Sequence, residues 1–359
     1  MAIRITKLNG KGFLSFPKQP QLLLSEFEKR FNIHNFSPFS ENLNSTFSKT
    51  ESSWYGELLF CPDFCEKNKS FENQKPYWAS VVLEEPFLLE FDSIGEAASS
   101  LKEIQRNWSP YQYQFFRRAE LIQQKLPYIN LKDRHFLKFD EETNENKFAL
   151  EIPKSPMGIF TLINEKTILA SAKTSSSIPC GRITFVEDHE NPPSRAYLKI
   201  QESLTLARHF FGCDIPSKDS LCFEAGACPG GWTWVLKELG SKVFAVDRAE
   251  LAPDLMKNPN IKFLAHDAFT LKPEDVLKEM NTEKLDWVFS DVICYPERLF
   301  EWVNVWLSSN CTKNMICTIK MQGEIDWPLI QKFADIPGSI IVHLNYNKHE
   351  LTWINCRKE

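Results

Sequence analysis

The chain has 359 residues, 25% of them charged and 13% aromatic, with a formal net charge of −5. The length accommodates two or three domains, and the composition belongs to a folded globular protein rather than a disordered one. An acidic balance does not advertise nucleic-acid binding, although overall charge can conceal a local basic surface. The ten cysteines sit among apolar residues, as in Leu221-Cys222-Phe223 and Ile316-Cys317-Thr318, which predicts reduced thiols in a cytoplasmic protein. Cys61 and Cys65 form a C-x3-C pair with no second pair at ligand spacing, so no metal is expected. The early charges between Met1 and Lys7, and the lack of any apolar run approaching about eighteen residues, predict neither secretion nor membrane spanning.

In chain order, the first half is broken into short pieces by Asp, Asn, Ser and Pro, with a polar loop expected over residues 42–53. Ala97, Leu101, Ile104 and Trp108 recur at helical spacing and predict a helix over 95–108. A second helix is expected over 110–125, with Pro110 at its first turn. Residues 158–163 and 167–172, separated by Asn-Glu-Lys, read as a β-hairpin. Residues 188–193 read as a linker into a different kind of chain. From Leu221 onward short apolar strands alternate with helix-like stretches, at 221–227, 242–247, 262–267, 285–291, 315–320, 339–346 and 351–356. Too few residues join the last two for a parallel crossover, so they should be antiparallel. The expected fold class is α/β, a Rossmann-like sheet of seven strands preceded by an α+β region. The expected domains are 1–94, 95–187 and 188–359.

Phe223-Glu224-Ala225-Gly226-Ala227-Cys228-Pro229-Gly230-Gly231-Trp232 reads as a buried strand entering a glycine-rich turn that opens a helix. Glycines there let backbone approach a nucleotide-like ligand closely. About twenty residues on, Asp247 ends the next strand, the spacing at which a carboxylate meets ribose hydroxyls. The order of the glycines is not G-x-G-x-x-G, and no G-x-x-x-x-G-K-[ST] occurs, which disfavours a dinucleotide and excludes a P-loop. S-adenosylmethionine fits better, having a ribose and a carboxylate but no phosphate. In an open α/β sheet ligands collect at the carboxyl ends of strands, where Gly226, Asp247, Asp267, Asp291 and Lys320 all fall. Upstream, Ser194-Arg195-Ala196-Tyr197-Leu198-Lys199 reads as a helix start, with Ser194 able to cap it.

The Ser-Arg-x-x-x-Lys segment, Gly-Ala-Cys-Pro-Gly-Gly-Trp, Val246-Asp247, His266-Asp267, Ser290-Asp291, Ile319-Lys320 and Glu350-Leu351-Thr352 together resemble the FtsJ-like ribosomal-RNA ribose 2'-O-methyltransferases. The resemblance spans nearly the whole second half and is most specific in the glycine turn with its upstream Ser-Arg-x-x-x-Lys. It implies a catalytic tetrad of Lys199, Asp291, Lys320 and Glu350. It also implies cofactor contacts from Ser194, Gly226, Cys228, Pro229, Gly230, Gly231, Trp232, Asp247, Asp267 and Asp291. The implied reaction is methyl transfer from S-adenosylmethionine to an RNA ribose 2'-hydroxyl, with a cytidine of 23S rRNA as the implied target. No membrane and no obligate protein partner are implied. Lys320 could act as the base or as a charged donor that steers the oxygen, and the sequence leaves both roles open.

Two departures stand out: Glu224 replaces the usual aspartate, and Met321-Gln322-Gly323-Glu324 is less basic than its counterpart. A 2'-O-methyltransferase of another RNA (cap, tRNA or another rRNA site) and a non-catalytic cofactor- or RNA-binding module are the alternatives. The resemblance further implies an amino-terminal RNA-binding region with a THUMP-like domain over 95–187. Independently, Arg106, Arg117, Arg118, Lys125, Lys132 and Arg134 interleave with Trp108, Tyr111, Tyr113, Phe115 and Phe116, a pattern able to neutralise phosphates and stack bases. An amphipathic helix with a solvated basic face and an aromatic core face explains the same pattern.

Overall fold

The computed structural model of the chain describes residues 4–40, 46–64, 75–143 and 145–357. Two compact units emerge, one comprising residues 1–132 and 152–183, the other 133–151 and 184–359.

In the first unit, β1 (Arg4–Lys7), β2 (Gly10–Ser15), α1 (Pro20–Phe31), β3 (Ser53–Tyr55), β4 (Leu58–Pro62), β5 (Ala79–Leu83) and β6 (Phe87–Glu90) follow one another. They lead to α2 (Ile94–Ile104), β7 (Trp108–Pro110) and α3 (Phe116–Lys125). The second unit contributes the ribbon β8 (Leu137–Asp140) and β9 (Glu145–Phe148), after which β10 (Gly158–Asn164) and β11 (Thr167–Ser171) complete the first. Strands β3-β4-β2-β5 form one sheet and β1-β6-β11-β10-β7 another. Leu14, Leu58, Val81 and Leu83 of the former share a buried cluster with Ile159 and Leu169 of the latter. The expected 158–172 hairpin is present and antiparallel.

The two expected helices are shorter. The first stops at Ile104, because Trp108 is a strand residue paired with Gly158 whose indole N–H donates to the Leu101 carbonyl at the helix end. Pro110 ends that strand rather than opening a helix, and the second helix begins at Phe116 behind a left-handed Phe115. The 42–53 loop lies partly outside the described residues, and Ser53 already begins β3. The compact units also depart from the expected bounds. A cut at 94/95 would separate β6 from its partner β11, and β8–β9 groups with the carboxy-terminal unit although it precedes β10 in the chain. Strand pairing between distant segments, invisible to composition, sets these bounds.

The second unit is built on α4 (Tyr197–Phe211), β12 (Leu221–Ala225), α5 (Gly231–Glu238), β13 (Lys242–Asp247), α6 (Pro253–Met256), β14 (Ile261–Ala265) and α7 (Pro273–Met280). It continues through β15 (Leu285–Ser290), α8 (Pro296–Ser309), β16 (Thr312–Lys320), α9 (Trp327–Ala334), β17 (Ser339–Val342) and β18 (Glu350–Cys356). The sheet order is β14-β13-β12-β15-β16-β18-β17. β12 to β16 are parallel, and β18 runs antiparallel between β16 and β17. This is the seven-stranded Rossmann-like architecture expected from the strand pattern. The order reverses between β12 and β15, so a crevice opens at their carboxyl ends. Both faces of the sheet are covered, and Phe223, Val288, Phe289, Ile316 and Ile354 are fully buried.

Candidate active site

A cavity of about 400 Å³ sits at that crevice. Gly226 and Cys228 after β12, Asp247 and Arg248 at the end of β13, His266 and Asp267 after β14, and Asp291 to Ile293 after β15 line it, with Lys320 and Arg298 completing the wall. The size suits a drug-sized or nucleoside-sized ligand. The glycine turn is held from the β13 side. Gly226 N–H donates to the Val246 carbonyl at 2.9 Å, and Cys228 N–H donates to Asp247 Oδ2 at 3.0 Å. Gly226 has φ +79°, and a Cβ there would lie 2.8 Å from the Val292 backbone nitrogen. At Gly231 a Cβ would lie 2.5 Å from Ser194 Oγ. Gly231 therefore lets the turn close against neighbouring protein, and Gly226 does so while also lining the cavity.

Asp247 also accepts from Ala249 N–H at 3.2 Å, so both carboxylate oxygens are oriented by backbone. A carboxylate accepts about four hydrogen bonds, which leaves capacity for ligand hydroxyls. Asp267 is differently engaged: Oδ1 caps the turn at Phe269 N–H, and Oδ2 takes Arg248 at 2.8 Å and Arg298 at 3.2 Å. Partial burial pushes its pKa up, but the Arg248, Phe269 and Arg298 hydrogen bonds outweigh that and hold it below the usual carboxylate value.

The four residues of the implied tetrad come together, carried by α4, the loop after β15, the end of β16 and the start of β18. Lys199 Nζ donates to both Asp291 oxygens, at 3.1 and 3.0 Å, and to Glu350 Oε1 at 3.1 Å. Lys320 Nζ lies 3.0 Å from Asp291 Oδ1. The antiparallel register places Glu350 directly opposite Lys320 across the β16–β18 pair. Lys199 is 8% exposed. Burial opposes its charge, yet the Asp291 and Glu350 carboxylates outweigh burial and raise its pKa, so it stays cationic at neutral pH. Lys320 and Asp291 line the cavity, whereas Lys199 and Glu350 stand behind them.

Every side chain of α4 from Tyr197 to Ala207 is buried, which explains how a lysine comes to be enclosed. The Ser203 and Thr205 hydroxyls of the same helix donate to the Lys199 and Gln201 carbonyls, both at 2.7 Å, whereas Gln201 Oε1 and Glu202 Oε2 are buried without a hydrogen-bond partner. Glu224, beneath the turn, accepts from the Thr233 hydroxyl at 2.7 Å. Burial is the largest influence on it and carries its pKa to about 8, against the lowering effect of Thr233.

Several expected contacts lie elsewhere. Ser194 is not a helix cap, since α4 begins at Tyr197 and the buried Ser194 Oγ finds no hydrogen-bond partner. Trp232 is a core residue, 2% exposed and edge-to-face with Phe289 at 6.1 Å, because the first turn of α5 faces the sheet. Pro229, Gly230 and Gly231 shape the turn but do not line the cavity. The sequence reading missed Arg248 and Arg298. Arg248 carried a signal in following Asp247 directly, while Arg298, in the first turn of α8, carried none.

The aromatic and basic surface divides. Trp108 is fully buried, the Tyr111 hydroxyl accepts from Glu57 N–H at 2.7 Å, and Tyr113 packs edge-on against Tyr55 at 5.1 Å. Of the five interleaved aromatics only Phe116 is exposed, so a continuous stacking surface is not present. Arg118 lies over the Phe91 ring at 5.5 Å. Arg106, Arg117 and Lys132 are exposed on the first unit, and Arg134 belongs to the second. Cys61 is buried on β4, and its suggested partner Cys65 lies outside the described residues. No described helix is long and apolar enough to cross a membrane.

Residues 192–324 match the FtsJ-like methyltransferase family. The chain is 31% identical over 157 residues to the ribosomal RNA large subunit methyltransferase M of Hahella chejuensis, covering 43% of this chain and 37% of that protein. It is 28% identical over 193 residues to the protein of the same name from Pseudomonas syringae pv. syringae, covering 51% and 48%. The chain thus spans less than half the length of these relatives. A putative ribosomal RNA methyltransferase from Plasmodium falciparum, known from its crystal structure, aligns over 45% of this chain and 96% of its own at 16% identity and a TM-score of 0.33.

Proposed function

We propose that the FtsJ-like region makes this chain an S-adenosylmethionine-dependent RNA ribose 2'-O-methyltransferase, with a cytidine 2'-hydroxyl of 23S rRNA as its target. The observation that carries the reading is the Lys199–Asp291–Lys320–Glu350 cluster beside a strand-end cavity lined by Asp247. Two lysines sharing one carboxylate at the wall of a nucleoside-sized cavity have a use in moving a proton from an alcohol. The names of the curated relatives supply the RNA and the ribosomal subunit.

S-adenosylmethionine supplies an electrophilic methyl group on a sulfonium. Asp247 fits its ribose, being oriented by two backbone N–H groups with acceptor capacity in hand, and Gly226 and Cys228 border the same space. A ribose hydroxyl is a poor nucleophile until it loses its proton. Lys320 is the tetrad lysine that faces the cavity, and in its neutral form its Nζ accepts that proton. Lys199, kept cationic by Asp291 and Glu350, anchors Asp291, and Asp291 in turn orients Lys320 through a 3.0 Å contact. Asp291 and Glu350 act as orienting groups. The exposed Arg106, Arg117 and Lys132 of the other unit supply phosphate contacts that a one-nucleotide pocket cannot.

The segment after Lys320, with exposed Gln322, Gly323 and Glu324, offers little to phosphates and favours one second reading, the same chemistry on a different RNA. Mass spectrometry of rRNA nucleosides from cells with and without the gene tests the target. Loss of one 2'-O-methylcytidine from 23S rRNA is expected, and an unchanged 23S profile would overturn that target.

A further inference from the structure

Between Asp291 and α8 the chain runs Val292-Ile293-Cys294-Tyr295-Pro296. Ile293 is 76% exposed and Tyr295 68% exposed, the two most exposed large hydrophobic side chains described in the carboxy-terminal unit. Single exposed apolar residues are ordinary. Two within three positions at the rim of a polar cavity are not, because nothing in the fold gains from leaving them in water. Ile293 lines the cavity together with Asp291 and Lys320. Tyr295 lies within about 7.6 Å of it, Cα to Cα, by chain geometry alone. The Tyr295 backbone is held as the N-cap residue of α8, its carbonyl accepting from Leu299 N–H at 3.2 Å. Arg248, Arg298 and Lys320 line the same opening, paired there with the carboxylates of Asp267 and Asp291.

We infer that Ile293 and Tyr295 form the platform on which the base of the target nucleotide rests while its ribose faces Lys320. This inference rests on the proposed RNA 2'-O-methyltransferase activity. A ribose can reach Lys320 only if its nucleotide leaves the stack, and an unstacked base finds replacement contacts on an aromatic ring or an apolar side chain. The polar cavity with Asp247 takes the cofactor, and the apolar rim takes the base.

The test is transfer of labelled methyl groups from S-adenosylmethionine to rRNA extracted from cells lacking the gene. KM for RNA, kcat and cofactor affinity are measured for the wild type, Tyr295→Ala, Tyr295→Phe and Ile293→Ala. Val305→Ala, an exposed apolar position on α8, is the control. Loss of a base–aromatic stack should raise the RNA KM of Tyr295→Ala by about five- to hundredfold. Cofactor affinity should stay within about twofold, the ring in Tyr295→Phe should rescue, and Val305→Ala should behave as wild type. Ile293→Ala should raise the RNA KM less than Tyr295→Ala, since it removes no ring. A wild type that transfers methyl groups while Tyr295→Ala keeps its RNA KM overturns the platform alone. A wild type that methylates no RNA overturns the proposed function, and the platform with it.

Discussion

Replacing Lys199 by Met keeps most of the side-chain volume and removes the one cation that holds Asp291 and Glu350 together. The Lys199 side chain is 10% exposed, and its partners Asp291 and Glu350 are 16% and 14% exposed. Breaking a buried ion pair by deleting one partner costs roughly 3–5 kcal/mol, because the remaining charge is left uncompensated. Asp291 keeps Lys320 at 3.0 Å, and the site retains some solvent, so the lower end applies, about 3 kcal/mol. Chemical denaturation of both proteins at pH 7.5, with the midpoint shift read at constant slope, gives the difference. The same comparison at strongly alkaline pH fixes its origin, because the penalty of Lys199→Met should shrink once the lysine itself loses its charge. Lys199 itself, with its pKa raised in the folded state, contributes fully at every pH below the unfolded value, and its contribution fades only as pH rises through the folded value. A penalty below about 0.5 kcal/mol at pH 7.5, or one that does not change with pH, would refute the view that Lys199 is a buried charge balanced by two carboxylates.

Lys320→Ala should remove methyl transfer while cofactor affinity stays within about threefold, since its partner in the proposed reaction is the target hydroxyl; a variant with full turnover contradicts the role. Lys320→Arg should not restore transfer, because guanidinium cannot serve as a base near neutral pH. Asp247→Ala should weaken S-adenosylmethionine binding about tenfold or more in calorimetry, as charge-assisted bonds to ribose hydroxyls are worth about 1.5–3 kcal/mol, and unchanged affinity would place the ribose elsewhere. Glu224, with an ordinary pKa of 4.5 and a folded value of about 8, binds its proton more tightly in the folded protein. Stability should therefore fall between pH 4.5 and 8, by up to about 1.4 kcal/mol per pH unit from this group. Glu224→Gln should flatten that slope in thermal melts, and an unaltered slope would show that Glu224 does not carry it.

The carboxy-terminal sheet was legible because its strands are short apolar runs, and β13, β15 and β16 each end in a polar residue at the ligand-facing end. Asp247, Asp291 and Lys320 could therefore be placed before any geometry was known. Glu350 was visible only through resemblance, since the reason it meets the tetrad is the antiparallel register opposite Lys320, a relation between segments thirty residues apart. Trp108 misled because helical spacing ran past Ile104 into a strand whose indole folds back onto the helix end. Trp232 and Ser194 misled for a related reason: proximity to a ligand motif in sequence does not say which face of a turn points to the sheet. The β8–β9 ribbon could not be assigned at all, because nothing in its composition marks it as separate from its neighbours in the chain.

The central claim is that the tetrad moves a proton from a ribose hydroxyl so that the methyl group lands on the 2'-oxygen. Alkaline hydrolysis of RNA proceeds through attack by that oxygen, so methylation there protects the adjacent phosphodiester, whereas methylation of a base does not. Ribosomal RNA labelled by the purified protein and S-adenosylmethionine should yield its label in an alkali-resistant dinucleotide, and the Lys320→Ala protein should yield none. Label recovered entirely in alkali-released mononucleotides would contradict the account.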